Sequence, residues 1–98
     1  MELIIHPKVA DEMAEAAKWY RNIDPELCDR FLSEIHGAIH EAHEMPLRFR
    51  IIEKTYRRVL CETFPYRVVF EIIDELQAVH VVAVIHQMRH PDRWKKDL

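Results

Sequence analysis

The chain has 98 residues, 49% of them hydrophobic and 32% charged, with a net charge of −3 and one glycine. This composition excludes disordered and fibrous classes and fits one small globular domain over residues 1–98, with a core of modest size. Its apolar runs fall short of the roughly 20 residues of a membrane helix, and its first residues lack the basic start and long apolar stretch of a secretory signal, so a cytoplasmic protein without membrane association is expected.

The chain opens on Leu3-Ile4-Ile5, too short to show a period; its β-branched pair and the following Pro7 favour a strand that stops there. Pro7 suits the first turn of a helix, where its missing N–H costs nothing. Val9, Met13, Ala16, Ala17 and Tyr20 then fall at i, i+4, i+7, i+8 and i+11 and form one apolar stripe, with Trp19 at its edge. That helix should end near Asn22. Asp24 can cap a second helix with Pro25 at its first position, carrying the stripe Cys28, Phe31, Leu32, Ile35, Ala38, Ile39 and Ala42 as far as Met45-Pro46. The short connection predicts an antiparallel helical hairpin. Gly37 sits in mid-helix, where it costs about 1 kcal/mol against alanine; a close backbone approach would explain it, and so would tolerated drift.

Residues 47–54 are ambiguous between a short strand and an irregular arm. From Tyr56 the alternation has period two. Arg58, Leu60 and Glu62 alternate with Arg57, Val59 and Cys61. Beyond Phe64-Pro65, Tyr66, Val68, Phe70 and Ile72 alternate with Arg67, Val69, Glu71 and Ile73. Asp74-Glu75 makes the next turn, and Ala78 to His86 is a further strand, apolar on both faces and therefore central in the sheet. The tail from Gln87 is polar and basic, and residues 92–98 form a short helix or fray. The order predicts an α+β, two-layer fold, with an N-terminal strand and then a helical hairpin packed on an antiparallel β-sheet. Where the first strand joins that sheet is not readable.

Several side chains carry chemistry. Arg57, Arg58 and Arg67 interrupt apolar strands, and Arg89 follows the last one. Pairing of Arg58 and Arg67 with Glu53, Glu62 or Glu71 across strands is the plain structural alternative. His80 reads as a hydrogen-bonded core histidine. His36, His40 and His43 fall at i, i+4 and i+7 on one face of the second helix, a spacing at which a pair can ligate a transition metal; a solvated stripe is the simpler reading. Cys28 and Cys61 lack metal-type spacing and read as reduced thiols. Charge is uneven. Residues 1–45 hold four Lys/Arg against ten acids, a net of −6, and residues 46–98 hold ten against seven, a net of +3. Such asymmetry can steer a partner onto one face, but it is too weak for a nucleic-acid binding domain.

These residues carry a family resemblance across nearly the whole chain. It runs through the opening strand, Ala14-Glu15-Ala16-Ala17-Lys18-Trp19-Tyr20, Phe31-Leu32 and the closing Pro46. It continues with Arg57-Arg58-Val59-Leu60, Phe64-Pro65-Tyr66-Arg67-Val68-Val69-Phe70, and His86-Gln87-Met88-Arg89-His90-Pro91 with Trp94. In this order they resemble the RelE/ParE superfamily of bacterial toxins, on the ParE-like, plasmid-stabilisation branch. The resemblance implies the toxin of a type II toxin–antitoxin module. A cognate antitoxin would wrap its surface, and its target would be DNA gyrase, poisoned by binding, or mRNA on the ribosome, cut by a RelE-like endoribonuclease. A degenerate, non-toxic partner-binding member is a further alternative. No cofactor is implied, and a homodimer or toxin–antitoxin heterotetramer is compatible with the family.

The resemblance makes Arg57, Arg58, Arg67, Arg89 and Trp94 candidates for contacting antitoxin or target, with the Arg-Arg and Phe-Pro-Tyr segment as the floor of a groove. Were the protein a nuclease, Arg67 and Arg89 would correspond to the arginines that stabilise phosphate charge, and His86 or His90 would move protons. The C-terminal tyrosine of such nucleases has no counterpart after Tyr66, and an indole at Trp94 can stack but not act as acid or base. Binding rather than hydrolysis is therefore the favoured expectation.

Overall fold

The computed structural model describes residues 1–89, 94 and 95. His90, Pro91 and the expected tail helix lie outside the described residues, apart from Trp94 and Lys95. The elements are β1 (Glu2–Ile5), α1 (Pro7–Ile23), α2 (Pro25–Glu44), β2 (Ile51–Glu53), β3 (Tyr56–Leu60), β4 (Tyr66–Ile73) and β5 (Ala78–His86). The ambiguous stretch after α2 resolves into a 3-10 turn, Pro46–Arg48, and the short β2.

One residue makes the helical hairpin. The Asp24 N–H closes α1 on the Tyr20 carbonyl at 2.9 Å, while its Oδ1 accepts from the Glu26 N–H at 2.9 Å and opens α2. His6 caps α1 in the same manner, its Nδ1 accepting from the Lys8 N–H at 3.1 Å. Pro7 and Pro25 take the first helical positions, as the spacing predicts. Gly37 is exposed, and a Cβ placed there would meet nothing within 4 Å. No backbone approach accounts for this glycine.

The five strands run in the order β1-β5-β4-β3-β2. Neighbours among β2 to β5 are antiparallel, as expected, but β1 lies parallel to β5, so the sheet is mixed. The chain leaves β1 through the hairpin and returns as an antiparallel meander, which brings β5 back beside β1 in the same direction. β5 is internal and almost wholly buried.

The helices cover one face of the sheet. Val59, Tyr66, Val68, Phe70, Val79, Val81 and Val84 point into the core shared with both helical stripes. Its centre is an aromatic group in which Tyr20, Phe31, Phe64 and Tyr66 meet at tilted or edge-on angles, with centroids 5.0–6.3 Å apart. The outer face carries a smaller cluster of Val69, Val82, Ala83 and Ile85 beneath Trp94. A β-bulge supplies its width. Val69 pairs with Ala83 but Phe70 pairs with Val81, so Val82 is the extra residue. Val82 and Ala83 both turn outward, and Val84 returns to the helix side. Among the described residues no helix is long and apolar enough to cross a membrane.

Candidate functional site

A concave feature carrying charged groups is a groove of about 140 Å³ between α1 and the C-terminal end of β5. Glu12, Glu15, Ala16 and Trp19 line it from α1, Tyr66 from β4, Val84 to His86 from β5, and Arg89 from the turn beyond. The two walls are stitched by the Val84 N–H, which donates to Glu12 Oε1 at 2.9 Å from a position next to the bulge.

The turn after β5 is rigidly specified. The Gln87 N–H donates to the Pro65 carbonyl at 2.8 Å and its amide Nε2 to the Tyr66 carbonyl at 3.1 Å. The Nδ1 of His86 accepts from the N–H groups of Met88 and Arg89, each at 3.1 Å. The imidazole thus serves as a turn cap whose neutral tautomer carries its proton on Nε2, and it packs edge-on against Tyr66 at 5.2 Å. The turn sends Arg89 back over α1, where its guanidinium lies 5.5 Å from the Trp19 ring centroid. Trp19 is 56% exposed, a large aromatic surface that the hairpin packing leaves uncovered.

The electrostatics suit binding better than proton transfer. Burial pushes the Tyr66 hydroxyl above the ordinary phenol range, and neighbouring Tyr20 and Glu15 add to this against the opposing charge of Arg89. Tyr20 is raised likewise, first by burial, with Arg89 again opposing and Cys61 adding. Both phenols are therefore neutral at physiological pH and serve as packing surfaces or hydrogen-bond donors. Nearby, burial and then the Glu34 carboxylate push the Cys61 thiol up to about 12, which removes it as a nucleophile. Both cysteines are free.

The fold separates the residues singled out from the sequence. Arg89 and His86 come together in the groove. Arg58, opposite Val69, and Arg67, opposite Leu60 and Ile85, lie on the outer face of the sheet. Arg57 faces the helix side, and its Nη1 donates to the Phe49 carbonyl at 2.6 Å, pinning the arm between α2 and β2. The expected Glu71 partner is different, since its carboxylate lies 3.1 Å from Nδ1 of His80. That contact makes His80 the hydrogen-bonded residue that was expected, although on the outer face. Trp94 is only 2% exposed. It stacks edge-on with Tyr56 at 5.0 Å, and its carbonyl accepts from Lys8 Nζ at 3.2 Å. This indole closes the outer core instead of offering a surface.

Of the Arg-Arg and Phe-Pro-Tyr segment, Tyr66 lines the groove and Phe64 is buried beneath it, while Arg57 and Arg58 lie elsewhere. Glu12 and Glu15 carried no signal beyond a solvated helix face. Trp19 carried one, being a large aromatic just outside the apolar stripe. His36 and His40 are exposed on α2, whereas Nε2 of His43 lies 2.6 Å from the Met1 carbonyl. Among the described residues no group of three or more His, Cys, Asp or Glu is placed to hold a metal ion.

The chain is similar in sequence and in fold to known proteins. The family model described as the ParE toxin of the type II toxin–antitoxin system parDE matches residues 3–91. Toxin ParE2 of Mycobacterium tuberculosis is 30% identical over 97 residues, covering 98% of this chain and 90% of that protein. Among solved structures, a chain of the chromosomal ParDE toxin–antitoxin system of P. aeruginosa superposes with a TM-score of 0.76 at 13% identity, over 88% of this chain and 95% of that one. The isolated RelE toxin of E. coli superposes with a TM-score of 0.53 at 16% identity, over 99% of this chain and 98% of that one. These two likenesses concern the fold. The family model and the whole-length relative go further and show that the chain belongs to the ParE toxin family of type II toxin–antitoxin systems.

Proposed function

We propose that this toxin works in the cytoplasm by binding and blocking DNA gyrase, and that a segment of a cognate antitoxin silences it by covering the groove between α1 and β5. The observation that carries the proposal is the Arg89–Trp19 pair. A cation held over an exposed indole, with Glu12 and Glu15 alongside, is a recognition surface of the kind that anchors protein interfaces. The acid–base groups of the groove are Glu12, Glu15, Tyr66 and His86. Tyr66 is held neutral, Glu12 accepts from the Val84 N–H, the imidazole is engaged as a turn cap, and Arg67, the second arginine a nuclease would use, lies across the sheet from Arg89. Phosphate cleavage calls for such groups to converge on one point.

The test is titration of purified toxin into a gyrase supercoiling reaction, beside a ribosome programmed with mRNA. Inhibition that saturates near stoichiometric toxin and is reversed by antitoxin is expected, with the mRNA intact. Translation-dependent mRNA cleavage with supercoiling unaffected would overturn the gyrase proposal. Arg89→Ala should weaken gyrase inhibition by about tenfold, the worth of roughly 1.4 kcal/mol, without changing thermal unfolding. Undiminished inhibition by the folded variant would remove Arg89 from the interface.

A further inference from the structure

The two edges of the sheet are protected very differently. At the β2 edge the strand is three residues long, its register with β3 is irregular, and Arg50, Glu53 and Lys54 crowd it. Short length, irregularity and charge are the usual defences of an exposed edge. The β1 edge is also short, at four residues, but its pairing with β5 is regular and Leu3-Ile4-Ile5 carries no charge. Leu3 and Ile5 are 37% and 45% exposed, and among the described residues no strand pairs with the outer side of β1.

The backbone direction of β1 is settled by its ladder with β5. The Glu2 N–H donates to Gln77 and the His6 N–H to Val81, both at 2.9 Å, so Glu2, Ile4 and His6 direct their backbone groups inward. Leu3 and Ile5 therefore direct an N–H and a carbonyl outward, four groups on one open edge with no partner among the described residues.

We propose that this edge pairs with the same edge of a second copy of the chain, antiparallel about a two-fold axis through Ile4. In this register Leu3 of each copy faces Ile5 of the other as a hydrogen-bonded pair, and all four outward groups are used. The faces agree as well. Leu3 and Ile5 lie on the helix side with Val79 and Val81, while Glu2, Ile4 and His6 lie on the outer side with His80. Ile4 then meets Ile4 of the second copy, and Glu2 meets His6, so the acid of the strand faces an imidazole and like charges do not meet. A slip of one residue would set helix-side residues against outer ones. A slip of two would set Glu2 against Ile4 and leave half of the outward groups unused. The seam is short, so the dimer is a reversible one with a Kd on the order of 10 μM. The proposal concerns the outer edge of β1, and it stands whether or not gyrase is the target.

The register makes a sharp test on the full-length chain. Ile4→Cys places two thiols opposite each other at a non-hydrogen-bonded pair, about 4.5 Å apart at Cα, which a disulfide spans readily. Mild oxidation at a few tens of micromolar should convert most of the protein to a covalent dimer, whereas Leu3→Cys, whose counterpart is Ile5, should stay at the wild-type level. Cys28 is buried and Cys61 is held protonated, so the native thiols contribute little. In sedimentation velocity Ile5→Lys should weaken wild-type self-association at least tenfold with unfolding unchanged, since Ile5 is already exposed in the single chain. A wild-type chain that stays monomeric at 100 times that Kd would overturn the dimer. So would crosslinking at Leu3→Cys in place of Ile4→Cys, or an Ile5→Lys protein that dimerises undiminished.

Discussion

The two faces of the sheet are closed by different means. On the helix side two amphipathic helices and four aromatic rings interlock, and every buried residue of that core except Phe64 comes from a helix or a strand. On the outer side a few aliphatic residues are roofed by one indole, tethered by Lys8 on the Trp94 carbonyl and by an ion pair of 2.8 Å between Lys95 and Glu53. The same strands feed both cores through their period-two alternation. Only the helix-side core is built from many mutually supporting contacts, so the fold should depend on it first and on the outer core second.

The largest expected effect is Phe31→Ala. Phe31 is fully buried and touches the rings of Tyr20, Phe64 and Tyr66, so its loss should cost about 3–5 kcal/mol, much of the stability of a small domain. Urea unfolding would show this as a collapse of the transition midpoint. Trp94→Ala should cost about 3 kcal/mol and expose Val69 and Ile85, yet leave the near-ultraviolet signal of the helix-side aromatics in place. If it erased that signal as thoroughly as Phe31→Ala, the two cores would have to be regarded as one.

Glu34 offers a smaller, pH-dependent probe of the helix side. Burial works against its charge, but the N–H groups of Thr63 and Phe64, at 2.8 and 3.3 Å, outweigh this and hold the carboxyl below its ordinary value of 4.5. A lowered folded pKa means that stability is present above the unfolded value and lost as pH falls through the folded one. Glu34→Gln should therefore cost about 1 kcal/mol at pH 7, limited by the solvent exposure of the carboxylate, and the difference should shrink below about pH 4.5. Thermal unfolding of both proteins across that range measures it. Gly37→Ala, on the exposed face of α2, should stabilise by about 0.5–1 kcal/mol, because the new methyl meets nothing. A loss of stability there would reveal a packing role for Gly37 that the structure does not contain.

Much of the scaffold was legible before any coordinates. Buried Val9, Ala16, Ala17 and Tyr20, and Cys28, Phe31, Ile35, Ala38, Ile39 and Ala42, are the helical stripes themselves. Val59, Tyr66, Val68 and Phe70 are the buried phase of the strand alternation. The burial of Trp94 is not legible in the sequence, because a tryptophan in a polar tail belongs to no period. Its burial follows from the width that the Val82 bulge gives the outer face, and a bulge leaves no mark in a run of valines. The groove was only half visible. Glu12 and Val84 are hydrogen-bonded across 72 positions of sequence, and nothing local to either announces the other.

The sequence by itself determined the element types outside residues 47–54, the helical hairpin and the membership of a toxin family, because local spacing, capping residues and ordered motifs are properties of the chain taken a few residues at a time. Tertiary structure alone decided that β1 would run parallel to β5 and leave its other edge open. It also decided that five candidate residues would divide, with Arg89 in the groove, Arg58 and Arg67 on the outer face, and Arg57 and Trp94 in the framework. The physical reason is shared. Strand alternation tells which residues lie together on a face, but which face the helices cover is settled only when all the apolar surfaces are buried at once.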